Sequence, residues 1–239
     1  MELTQNNRYK KFTIEIEKYF EYYNKGLKKQ ANIYIKSFVN DFEKSVPKSE
    51  RDEILYRLCR EMLDEEKHEK FLRNGGNKCG YHISCHLPHE LNRIVWDYLK
   101  RQCELEKMPQ MRWIFQIYNT HHNPFDTKAE YNTYKILQKA YKHKECDQKT
   151  VDLYFYEQIQ WLEWGAHHFP EGCIITKESY EATVKTAKKI IAEKYVCSYL
   201  KEALDYFIKL YDCFYKYTDS GEDFYKLCDK ANISFPTYY

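Results

Sequence analysis

Chain breakers are scarce in this sequence: seven glycines and six prolines stand among 239 residues. An average chain carries roughly 12% Gly plus Pro, more than twice this share. Glycine and proline supply most tight turns and irregular backbone, so a chain poor in both has few places to reverse direction. Bulky residues are correspondingly abundant, with 24 Tyr, 13 Phe and 4 Trp. Few turns and many large rings together predict a nearly continuous series of helices packed through Tyr, Phe and Trp.

The apolar periodicity agrees. Phe12, Ile16, Tyr19, Phe20, Tyr23 and Leu27 form one stripe at helical spacing, predicting a helix over residues 8–30 that Gly26 weakens or ends. A second helix holds Ile33, Tyr34, Ile35, Phe38, Val39 and Phe42 and stops before Pro47. Ser49 with Asp52 three residues on resembles a capping box for a third, through Leu55, Leu58 and Met62. Asn74-Gly75-Gly76-Asn77 is the clearest turn signal, and residues 74–88 are the most irregular segment. Pro88 and Pro109 each suit the start of a helix. Residues 119–127 read as a loop. Helices are expected over 127–144 and 148–168. Thr176 can cap the next one, a long helix spans 194–217, and a short one follows Asp219-Ser220-Gly221. The reading is all-α: about ten antiparallel helices in an open helical array or a repeat-like bundle, with no run of strand-type alternation. The expected organisation is a single domain over 1–239. The alternative is a subdivision into 1–75 and an aromatic-rich array over 88–239.

Within this pattern, Leu137-x-x-Ala140 matches a spacing in the second helix of a tetratricopeptide unit. Residues 129–168 thereby resemble such a unit, which implies a TPR-like array. The proline position of that repeat falls on Glu145, and no second copy aligns. The resemblance therefore bears on architecture and not on function.

The charge is nearly balanced, +2 from 38 basic and 36 acidic residues. This gives no electrostatic reason to favour nucleic acid or an anionic membrane as a partner. No apolar run reaches the roughly 18 residues that cross a bilayer, and the first residues are polar, so a cytoplasmic location is expected. Nine cysteines at irregular spacings suit free thiols in a reducing compartment. The abundance of Lys, Asn, Ile and Tyr suggests A+T-rich coding and hence a bacterial or phage setting.

Signals for chemistry are sparse. The densest group of ligand-type residues is Cys79, His82, Cys85, His86 and His89, in the irregular segment. Zinc takes such thiolates and imidazoles, but there is no C-x-x-C and no second half-site, so a polar loop is the expectation and zinc the alternative. His121-His122 falls in a loop. His167-His168 closes a helix, where positive charge suits the dipole. Nothing places a Cys or Ser with a base and an orienting group, and the scattered glycines form no phosphate loop. No cofactor is expected.

The aromatic surplus is the remaining signal. Tyr154, Tyr156, Trp161 and Trp164 cover much of one helix's circumference, so that helix is central to a core or partly offered to a partner. Tyr206, Tyr215 and Tyr217 flank the apolar face of the long helix and are further surface candidates. Tyr and Trp dominate interaction hot spots. The expected function is therefore non-enzymatic protein binding, of an immunity, antitoxin or phage-inhibitor kind. The alternatives are a metal protein using the Cys79–His89 segment and a helical nucleic-acid-binding regulator.

Overall fold

The computed structural model describes residues 5–65, 72–73, 84–85, 89–118 and 132–235. Among them the chain is all-α: ten helices, with only a two-residue antiparallel β pair beside them. The described residues gather into two compact units, the first reaching His143 and the second beginning at Lys144. Most of the turn-rich 74–88 segment lies outside the described residues.

The first unit opens with α1 (Gln5–Asn24) and α2 (Lys28–Ser45). Gly26 joins them at φ +75°, a left-handed conformation that side chains avoid. The Leu27 amide closes the turn on the Tyr22 carbonyl. Ile16 and Tyr19 of α1 are buried, as are Ala31, Ile35, Phe38 and Phe42 of α2, and Tyr22 stacks on Tyr34 at 5.2 Å. α3 (Lys48–Leu63) starts directly after Pro47, with no side-chain cap. The capping box expected at Ser49 and Asp52 is therefore not formed. Proline itself sets the entry, at φ −55°, and Asp52 instead accepts from Arg101 and Gln102. The strands β1 (Leu72–Arg73) and β2 (Ser84–Cys85) pair Leu72 with Cys85.

α4 (His89–Glu104), α5 (Gln110–Tyr118) and α6 (Thr133–Lys142) complete the unit. Every residue of α5 is buried, including Arg112 at 1% exposure. Its charge is answered inside: Nη2 donates to Asp64 Oδ1 at 2.8 Å and Nη1 to Gln116 Oε1 at 2.8 Å. The Trp113 indole donates to the other Asp64 oxygen at 3.2 Å. A buried guanidinium persists where such partners replace water. α6 begins later than the periodicity predicts, because the Asn132 side chain caps it through the Lys135 amide.

The second unit comprises α7 (Gln148–Gly165), α8 (Lys177–Glu193), α9 (Ser198–Ser220) and α10 (Phe224–Lys230). Side-chain oxygens of Asp147, Thr176 and Asp223 cap α7, α8 and α10. Gly221, at φ +71°, ends α9. The core here is largely aromatic. Phe169 lies face to face with Phe214 at 4.1 Å, and Tyr180 stacks on Tyr211 at 4.4 Å. Within the units, α1 packs on α2, α4 on α5, α5 on α6, α7 on α8 and α9 on α10, which is compatible with a helical array. Among the described residues no helix is long and apolar enough to cross a membrane. The seven cysteines whose side chains are described are free thiols.

Candidate binding surface on α7

Helix α7 buries Val151, Leu153, Tyr154, Phe155, Ile159 and Leu162. It also buries Thr150, Asp152 and Gln158, whose polar groups find partners. Thr150 donates its hydroxyl to Asp147, Asp152 accepts from Gln148 at 3.0 Å, and Gln158 donates to the Tyr154 carbonyl at 3.0 Å. With so much of its circumference enclosed, α7 is the central helix of its unit. Its outward remainder is where the two tryptophans emerge. Trp161 is 44% exposed and Trp164 50% exposed. Their ring centroids lie 5.0 Å apart with planes inclined at 35°.

Trp161 is anchored from below. The Trp161 indole N–H donates to Ser179 Oγ at 3.2 Å, and the Ser179 amide in turn donates to the cap residue Thr176. The ring therefore rests on the first turn of α8. On the inner side of the same turn of α7, Tyr211 donates its hydroxyl to the Leu162 carbonyl at 3.0 Å. Gly165 makes this approach possible, because a Cβ there would lie 2.2 Å from that hydroxyl. Burial pushes the Tyr211 phenol well above its ordinary range, and the adjacent Cys173 thiol adds to this. Burial, followed by the charges of Asp212 and Glu181, raises Tyr180 to about 12. Both phenols are held neutral, and that of Tyr211 is a structural donor. His167 and His168 follow the helix as exposed rings 5.1 Å apart, and Gln160 donates to Glu163 at 2.7 Å.

The other aromatic candidates fall elsewhere. Tyr154 is 4% exposed and belongs to the core, because it shares the inward face with Val151 and Phe155. Tyr156 is half-buried. Tyr206 is half-buried and holds the C-terminal segment through the Ser234 carbonyl at 3.1 Å. Tyr215 packs among Tyr180, Tyr211 and Phe214, with Lys177 Nζ 5.3 Å from its ring centre. Tyr217 leans on Phe224. Trp161 and Trp164 are thus the candidates that the fold brings together at the surface. Tyr195 was not singled out by the sequence, yet it is 70% exposed, with Lys201 near its ring. Its position between two helices was the available signal.

Cys79, His82 and His86 lie outside the described residues. Cys85 belongs to β2 and His89 opens α4, and only their backbones are described. Among the described residues no group of three His, Cys, Asp or Glu is placed to hold a metal ion. Comparison of the chain with protein-family models, with curated proteins and with solved structures returns no match.

Proposed function

We propose that this is a non-enzymatic binding protein whose docking surface is the Trp161–Trp164 pair, and that its partner is another protein. The observation that carries this reading is the exposure of two neighbouring indoles, in contact with each other, on a helix that buries ten of its eighteen residues. Large rigid rings held at a surface bury much area at little entropic cost, which is the profile of an interaction hot spot. The near-neutral net charge favours a protein partner over nucleic acid. Such a protein acts by occupying its target, as immunity, antitoxin and inhibitor proteins do.

The test is co-purification from native cells with the parent chain and with a Trp161→Ala/Trp164→Ala variant of unchanged melting temperature. A protein retained near unit stoichiometry by the parent and released by the variant supports the proposal. Retention by both chains, or by neither, refutes the tryptophan surface. A bound nucleic acid whose retention falls steeply with salt would replace the protein partner altogether.

A further inference from the structure

A cavity of about 300 Å³ opens between α2, α3 and α4 of the first unit. Its floor is apolar, made by Phe42 and Leu55, both at most 2% exposed, with Ile94 beside them. Arg51, Arg93 and Arg101 line its walls, together with Glu43 and Asp97.

Each guanidinium carries five N–H groups. Arg51 spends two, donating Nε to the Val46 carbonyl at 3.0 Å and Nη2 to the Glu43 carbonyl. Arg93 spends one on Glu43 Oε1 at 2.9 Å. Arg101 spends two, on the Asp97 carbonyl at 3.2 Å and on Asp52 Oδ1 at 2.6 Å. All three arginines line the one cavity, and Arg93 and Arg101 keep N–H groups that no described residue accepts. The carboxylate of Asp97 is the complement. On α4 it stands four residues after Arg93 and four before Arg101, on the same face. Both arginines reach across to carboxylates of other helices, and Asp97 makes no side-chain hydrogen bond or ion pair among the described residues.

A purely anionic ligand would use the arginines but be repelled by Asp97. A purely apolar one would leave both unused. We infer that this cavity binds a small zwitterion with an apolar body, an apolar α-amino acid being the simplest case. Its carboxylate meets the spare guanidinium donors of Arg93 and Arg101, its ammonium meets Asp97, and its side chain lies against Ile94, above the buried Phe42 and Leu55. Arginine suits the first role because its planar fork matches a carboxylate. The cavity sits at the lower end of the size range of small-molecule sites. This inference does not rest on the tryptophan surface, which belongs to the second unit.

Calorimetric titration of the full chain with L-phenylalanine and L-leucine tests it, with phenyl phosphate as the anion lacking an amine. The amino acids should bind. Asp97→Asn should weaken them at least about tenfold, the loss of one charge-assisted hydrogen bond, with the melting temperature unchanged. Arg93→Gln should weaken them similarly, since the exposed pair it breaks contributes little to stability. Three results would overturn the inference. They are no heat of binding for either amino acid, binding indifferent to Asp97→Asn, and phenyl phosphate binding more tightly than either.

Discussion

A Cβ on Gly165 would lie 2.2 Å from the Tyr211 hydroxyl and 2.6 Å from Cγ1 of Ile175. Real Cβ atoms do not approach so closely, so any side chain there must drive Tyr211 away. The phenol would lose its bond to the Leu162 carbonyl and strain its stacking on Tyr180. Gly165→Ala is therefore expected to destabilise the protein by about 1–3 kcal/mol, the usual cost of overpacking a core. The midpoint of chemical denaturation should fall without a change in slope. A variant as stable as the parent would show that this contact yields freely. The sequence Trp164-Gly165-Ala166 contains no signal of this demand. It arises only when α9 is laid against α7, and no local pattern encodes that meeting.

The helices themselves are more legible, for reasons that differ between their ends and their faces. Thr176 caps α8 as the sequence suggests, and Gly26 and Gly221 end α1 and α9 because left-handed backbone favours glycine. Such signals act within one turn and survive in the sequence. Faces are decided by what packs against them. Thr150, Asp152 and Gln158 are polar yet buried, while Trp161 and Trp164 are apolar yet exposed. Periodicity alone therefore showed α7 as apolar around most of its circumference, without giving its orientation. The tryptophans were legible as residues, but their separation from Tyr154 required α8 and α9 in place. Capping supplies the prediction at this scale. The Asp147 side chain accepts from the Thr150 amide at 2.8 Å, satisfying one otherwise orphaned donor of α7. Asp147→Ala should cost about 1 kcal/mol, and Asp147→Asn much less, when urea midpoints are compared. Equal losses in the two variants would show that charge, not capping, is the contribution.

Across the whole molecule, the surplus of tyrosine sets a chemical limit on stability. Tyr180 and Tyr215 are raised by burial from 10.0 to about 12, and Tyr98 and Tyr211 are pushed higher still. Burial likewise raises Cys213, and it takes Cys228 from 9.0 to about 12, with the neighbouring Cys213 adding to it. Each group is neutral where it packs, so the folded state holds these protons more tightly than the unfolded chain. Linkage fixes the direction: this contribution is fully present below the unfolded values of 9.0 and 10.0. It is lost as pH rises through the folded values near 12. Stability should therefore stay level on this account up to about pH 9 and fall between about pH 10 and 12. Denaturation midpoints across an alkaline series, read beside the ultraviolet absorbance of phenolate, check this directly. Most of the absorbance from the buried rings should appear together with loss of the fold, because a stacked phenol surrounded by other rings cannot ionise in place without exposing the charge to apolar contacts. Complete titration near pH 10 by a chain that remains folded would show instead that water reaches these rings, and that the aromatic core is more open than its packing implies.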